Sequence, residues 1–427
     1  MGAPDPEGFV RRCSLLLLTM VLACAPQGDR APAALTLTLA DSSEFIDRLG
    51  REPMVVQHPA GTIFVAGYGD TVPHLWRSQD NGRTWASVNV GVRDDGAVGN
   101  SDVELAVGPD STLYFLNMSF DRQRLEGTRI DLATSRDGGS SWQWRQLSDT
   151  RLDDRPWIDV SPGNAAHAIW NDGAGVSHVR STDGGRTWTE MSRIHPMGGS
   201  SHLAVGPKGE VAVRVVPISV SGNSFNAGED WLFVSTDGGE TWVKHNAPGT
   251  RVWRAMRDTT VKPPTWSEAP QPRWVEPIAW DSTGALFSLW GHENRVWLAR
   301  SRDQGATWST WEVAHDSAVT YFPYLIARGD GQLAASWITG TGNATVASVA
   351  YIETAGEGAP RVARAPTFQP EAFQAGMPPD TATSRSAAGE YLGMSFLADG
   401  SLGVAVPIQH AAAKRAGFAF RRYTVRR

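Results

Sequence analysis

The sequence predicts an all-β protein, a β-propeller of seven four-stranded blades, and three observations carry that prediction. An eight-residue turn motif recurs five times, and a pair of apolar strands split by a Pro/Gly/Asp turn recurs seven times. A lone alternating strand precedes the first of these modules, while the last module is one strand short. The 427 residues alone suggest about three domains, but a repeat at this period overrides a count made from length. A hydrophobic content of 41% provides for a large core. A net charge of −6 supplies no basic excess for phosphates, so nucleic acid is not an expected partner.

At the N-terminus, Arg11 and Arg12 precede an apolar run, residues 14–23, that ends at Cys24. A positive region followed by a short apolar region reads as a secretory signal, too short to span a bilayer. Val21-Leu22-Ala23-Cys24 resembles a bacterial lipobox, which makes residues 1–23 a lipoprotein signal peptide and Cys24 the lipidated residue. Cys13 would leave with the signal, so the fold would contain no thiol. Residues 24–33 are polar with Pro and Gly and read as a tether. Residues 34–427 form a single propeller domain, expected to be a monomer whose lipid is its only membrane attachment. The resulting location is the bacterial cell envelope, at the outer membrane or the periplasmic face.

The turn motif is Ser-x-Asp-x-Gly-x-Thr/Ser-Trp, at 78–85 (SQDNGRTW), 135–142 (SRDGGSSW), 181–188 (STDGGRTW), 235–242 (STDGGETW) and 301–308 (SRDQGATW). Its Asp can accept backbone N–H groups of a hairpin turn, its Gly supplies positive φ, and its Trp covers the apolar side. These residues resemble the Asp-box, or BNR repeat, of sialidase-like propellers. The resemblance implies a box on the turn between the outer strands of a blade, away from any active site, so the aspartates are read as structural. Five of the 18 tryptophans are thereby assigned. Trp157, Trp170, Trp290 and Trp337 lie in strands and read as core or channel wall.

The strand modules are 52–67, 102–117, 155–170, 201–215, 276–290, 321–338 and 390–406. Apolar runs around Gly-containing turns read as antiparallel hairpins. Module 7 offers strands at 391–397, 402–408 and 418–425, and residues 34–40 alternate with period 2. We expect 34–40 to supply the missing strand and close the ring, which suits seven blades better than the alternative of six. Two long connections, 248–274 with Trp253, Trp266, Trp274 and several arginines, and 355–389, stand out as functional candidates.

If the first strand of each module lines the channel, the polar residues that begin these strands converge at one end. They are Glu52, Asp102, Glu104, Arg155, Trp157, His202, Glu276, Tyr321, Tyr324, Glu390 and Tyr391. Such a ring suits a polar ligand. The sialidase resemblance implies three arginines around the substrate carboxylate, a Tyr nucleophile with a Glu partner, and an Asp acid/base. Gly50-Arg51-Glu52-Pro53 matches the Arg and Pro of the first arginine motif, with Glu52 placed to pair with Arg51. Asp70 is the positional match to the acid/base. Tyr391 stands where the nucleophile is expected, with Glu276 or Glu390 as partner, and Arg155 and Arg273 are offered for the other arginines. The blade starts Glu52-Pro53, Asp154-Arg155-Pro156-Trp157, Tyr321-Phe322-Pro323 and Glu390-Tyr391-Leu392-Gly393 resemble a bacterial subgroup of secreted BNR proteins. With one arginine motif of three matched, the reading favours a binding protein for a glycan or an extracellular protein, using Trp253 and Trp274 as contacts. An exo-α-sialidase or related exo-glycosidase is the alternative. No cofactor and no metal site is expected, since the ten histidines have no metal spacing.

Overall fold

Seven four-stranded antiparallel sheets succeed one another along the chain, each running from an inner strand outward, so the ring has seven blades and not six. The computed structural model describes residues 1–2, 34–48, 50–68, 72–196, 199–217, 230–249, 276–340, 346–354, 358–369, 392–410 and 415–427. Residues 1–33, which the sequence reads as signal and tether with Cys24 at their junction, lie outside the described residues apart from Met1 and Gly2. From Leu35 to Arg427 the chain is one unit. Among the described residues no helix is long and apolar enough to cross a membrane.

The inner strands are Arg51–Gln57, Val103–Val107, Asp154–Val160, Gly199–Val205, Ile278–Trp280, Thr320–Arg328 and Met394–Phe396. Each is followed by a hairpin to a largely buried second strand, such as Ile63–Tyr68 or Leu286–His292, which packs against the neighbouring blade. This is why the second strands are mostly apolar, whereas the outermost strands, such as Gln143–Ser148, are largely exposed.

Blade 7 is completed by the N-terminal strand, as the sequence predicts, although the strand is longer than the alternating run. Thr36–Ile46 pairs antiparallel with Arg415–Arg426, from Thr36 opposite Arg426 to Ile46 opposite Gly417, with a bulge between Leu39 and Asp41. The ring is therefore closed by hydrogen bonds between the two ends of the chain.

All five boxes sit on the turn between the third and fourth strands of blades 1 to 5. In the fourth box, Asp237 accepts the N–H groups of Glu240 and Thr241 and the hydroxyls of Ser235 and Thr241, while Ser235 Oγ accepts the Gly239 N–H. These donors hold the Asp237 carboxyl far below the usual carboxylate range, with the Thr241 hydroxyl as the largest cause. Asp80, Asp137 and Asp303 are likewise lowered to about 2. A carboxylate held by so many turn donors is committed to the turn, in keeping with a structural role. The box glycine does a second job. Gly239 has φ +88°, and a Cβ there would strike the His178 ring of blade 3; Gly82 meets Phe420 of blade 7 in the same manner. Each box thus seats on the preceding blade. Blade 7 has no box because its outer strand comes from the other chain end, leaving no hairpin turn to hold.

Beneath the fourth box lies a buried imidazole pair. His167 Nδ1 and His178 Nε2 are 3.1 Å apart, with the rings stacked at 13°. Burial, then the neighbouring His178 and Arg180 charges, lowers His167 to about 3; burial, then Arg180, lowers His178 to about 4. The unfolded imidazoles protonate near the ordinary value of about 6.5, so the stability that comes from keeping both neutral is lost as pH falls from there toward 4. Buried Asp153 and Asp159, raised to about 6, act in the opposite direction. We therefore expect His167→Gln to flatten the loss of stability between pH 7 and pH 4 by about 2 kcal/mol relative to the parent chain, measured by urea denaturation at each pH.

Candidate functional site

Three inner strands begin with the same distortion. Glu52, Arg155 and Phe322 each precede a proline, have φ of 48°, 51° and 52°, and fall in a register slip of the first hairpin. Proline cannot donate to the ladder, so the strand bulges there and the preceding side chain is re-aimed. Positive φ in a non-glycine residue costs about 1–3 kcal/mol, a strain that clusters where a site is being shaped. Sequence reading finds the prolines but not the conformation.

Two of these bulges edge a mouth cleft of about 370 Å³ formed by blades 1 to 3. It is lined by three guanidinium groups, Arg51, Arg122 and Arg155, and by three carboxylates, Glu52, Asp102 and Asp154, with Tyr68 and Asn100 between them. Arg51 stands 3.7 Å from Glu52, the pairing that the sequence suggests, and its guanidinium carbon lies 5.1 Å from the centre of the Tyr68 ring. Arg155 stands 3.6 Å from Asp154. Asn100 donates to the Phe120 carbonyl and accepts the Phe120 N–H, which fixes the wall that carries Phe120 and Arg122. Arg122, Tyr68 and Asn100 stand apart from the strand starts at which the sequence places the polar ring. Arg122 comes from the unusually long hairpin of Leu113–Asp121 and Glu126–Ser135, and that length was the available signal.

Deeper along the same strands is a second cavity of about 330 Å³, lined by all seven inner strands. Glu104, two residues beyond Asp102, and Trp157, two beyond Arg155, belong to it, together with Asp159, His202 and Tyr324. The Trp157 and His202 rings are 4.5 Å apart, and His202 lies 6.3 Å from Tyr324. Burial holds His202 at about 3, so its imidazole is neutral. Burial also raises Tyr324 well above the usual phenol range, helped by the Glu104 and Asp159 charges. The expected single ring of polar residues is thus divided between two cavities.

Glu276 takes a different place. It is buried beside Arg214, which also bonds Asp230 at 3.0 Å, the Pro248 carbonyl at 2.8 Å and Ser288 Oγ at 2.5 Å. Tyr321 lies in the strand Thr320–Arg328, directly before the Phe322 bulge. Asp70, Trp253, Arg273, Trp274, Glu390 and Tyr391 lie outside the described residues. The last inner strand is described from Met394, three residues beyond Tyr391. Among the described residues no three His, Cys, Asp or Glu side chains are grouped to hold a metal.

The model of the BNR/Asp-box repeat matches residues 233–244, which span the fourth box. The chain is a seven-bladed β-propeller that carries a matched BNR/Asp-box repeat. Among solved structures, this propeller is similar to the polysaccharide lyase Uly1, with a TM-score of 0.53 and 10% identity over 90% of this chain and 99% of the other. It is also similar to a polysaccharide lyase PL25 ulvan lyase bound to -[GlcA(1-4)Rha3S]-, with a TM-score of 0.52 and 13% identity over 88% and 95%. In sequence, the propeller is 28% identical over 175 residues to the photosystem II assembly protein Ycf48 of Synechococcus sp. (strain JA-2-3B'a(2-13)). That match takes in 35% of this chain, and the chain spans about half the length of the curated relatives it matches.

Proposed function

We propose that this propeller binds an acidic glycan through the mouth cleft, with Arg51, Arg122 and Arg155 holding a sugar carboxylate or sulfate. The observation that carries the reading is the gathering of three guanidinium groups from blades 1 to 3 on one open cleft with a tyrosine beside them. A guanidinium fork matches a carboxylate bidentately, and the neighbouring carboxylates are placed to accept sugar hydroxyls. Two solved structures of the same fold are polysaccharide lyases, one of them bound to a glucuronate-containing sugar, which supports an anionic carbohydrate. Binding of an extracellular protein is the outcome if no glycan is taken.

Calorimetry with sialylated, glucuronate-containing and neutral oligosaccharides tests this. We expect the acidic sugars to bind more weakly as salt is raised, and Arg155→Ala to cost at least about tenfold in affinity, as expected for a charge-assisted hydrogen bond. Equal binding of neutral and acidic sugars would overturn the reading. An exo-α-sialidase is the second reading, and the three arginines that line one cleft are the observation that favours it. Turnover of a fluorogenic sialoside that is lost in Tyr391→Phe would establish that alternative, with Tyr391 as nucleophile and Asp70 as acid/base.

We further propose that Cys24 carries lipid and holds the propeller at the bacterial envelope. Metabolic labelling with a palmitate analogue is expected to mark the chain and to be lost in Cys24→Ala, with the protein leaving the membrane fraction. Label retained in that variant would overturn the anchor.

A further inference from the structure

The acidic-glycan reading leaves the channel cavity unused. Among the described residues that line it, that cavity contains two carboxyl groups, a neutral imidazole, a phenol and two indoles, and no lysine or arginine. Three of its polar side chains are already engaged. Asp159 accepts the N–H groups of Val160 and Val205 at 2.8 and 2.7 Å. His202 Nδ1 accepts the Ile278 N–H at 3.4 Å, and the Tyr324 hydroxyl donates to Met54 Sδ at 3.6 Å. Glu104 differs. Its Oε1 accepts the Leu105 N–H at 3.0 Å, but its Oε2, in a residue only 7% exposed, has no hydrogen-bond partner among the described residues. The Trp280 indole N–H likewise has none. Buried polar atoms are nearly always satisfied, so an acceptor and a donor left over on the wall of one cavity call for a guest that offers both.

We propose that the channel cavity binds a small organic amine bearing hydroxyl groups, an amino alcohol or amino sugar, whose ammonium donates to Glu104 Oε2. Acceptors dominate the walls, and no cationic side chain among the described residues competes for them. The Trp157 and Trp280 rings suit a desolvated cation. The volume lies at the small end of ligand pockets. Burial, and then the Asp159 charge, raises Glu104 well above the usual carboxyl range. An ammonium beside it reverses that effect, so binding near neutral pH should release a proton. Of the other titratable groups that line the cavity, His202 is already neutral and Tyr324 stays protonated, which leaves the two carboxyls as the source.

The test is calorimetric titration of the purified chain with glucosamine and ethanolamine, against glucose and glycerol as uncharged counterparts. We expect the amines to bind at least tenfold more tightly than their counterparts, with an enthalpy that varies with the ionisation heat of the buffer as one proton is released. Glu104→Gln should lose at least tenfold in amine affinity while keeping the parent's thermal midpoint. The buffer dependence of the parent chain is a readout that needs no variant. Equal binding of glucose and glucosamine, no proton release, or sodium or calcium taken in place of the amine would overturn the proposal. Amine affinity unchanged in Glu104→Gln would also do so, because it would place the amine at the mouth carboxylates.

Discussion

Arg214→Met is expected to destabilise the propeller by about 3–5 kcal/mol, the usual cost of removing one partner from a buried ion pair. The guanidinium is fully buried in blade 4 and faces Asp230 and Glu276, which are themselves almost fully buried. Methionine fills much of the volume but removes the guanidinium that faces these two buried carboxylates. Protonating a carboxylate relieves the cost of its burial, so the loss should shrink as pH is lowered. Arg214 also bonds the Pro248 carbonyl and Ser288 of blade 5, so one side chain fastens both flanks of residues 250–275 and joins two blades. Neutralising all three charges together, in Arg214→Met with Asp230→Asn and Glu276→Gln, should recover most of the loss, because an uncharged set no longer leaves a buried carboxylate unpaired. Urea denaturation of the single and triple variants is the measurement. A single variant within about 1 kcal/mol of the parent would show that the network is not what holds blades 4 and 5 together.

Removing the closing strand, residues 34–46, should have an effect at least as large. The strand makes ten rungs with blade 7, buries Leu37, and packs Phe45 against Phe418 with ring centres 6.1 Å apart. It reaches blade 1 as well. Ser43 Oγ donates to the Gly82 carbonyl of the first box and accepts the Trp85 indole N–H at 3.1 Å. Just beyond the strand, Asp47 accepts the Trp76 indole N–H at 3.0 Å and the Ser87 hydroxyl at 2.6 Å. Truncation removes the ladder and the Ser43 bonds, frees the backbone that holds Asp47 in place, and leaves Arg415–Arg426 as a bare edge, a template for aggregation. At about 0.5–1.5 kcal/mol for each net hydrogen bond, the loss is on the order of 5 kcal/mol or more. We expect the truncated chain to aggregate on heating well below the parent's midpoint, and a peptide of residues 34–46 to raise that temperature when added in trans. An unchanged midpoint would mean that the ring does not depend on its closure.

The fold was legible because its signals are local. Each box is an eight-residue circuit of side-chain to backbone hydrogen bonds, and each inner hairpin announces itself by apolar runs around a glycine turn. Even the closing strand could be read, from an unmatched alternating run at one end and a three-strand module at the other. Its full length could not, because the register past Leu39 is set by the facing strand and by a bulge.

The candidate site was legible only in part. Arg51, Glu52, Asp102 and Arg155 were identified from their places at the starts of inner strands, and they do line one cleft. Arg122 reached the same cleft from a different part of its blade. Glu276 was indistinguishable in sequence from Glu52, since both precede a proline at a blade start, yet Glu276 faces Arg214, 62 residues away. Glu104 and Asp102 are two residues apart and open into different cavities.

Seven blades, five box-held turns and a chain-end closure were thus determined by the amino-acid sequence itself, through periodicity and hydrogen bonds within a few residues. Which charges share a cavity, which are neutralised in the core, and which oxygen is left without a donor were decided by tertiary structure alone. Those outcomes depend on distances of a few ångströms between blades about fifty residues apart in the chain, and on the burial that sets the cost of each charge.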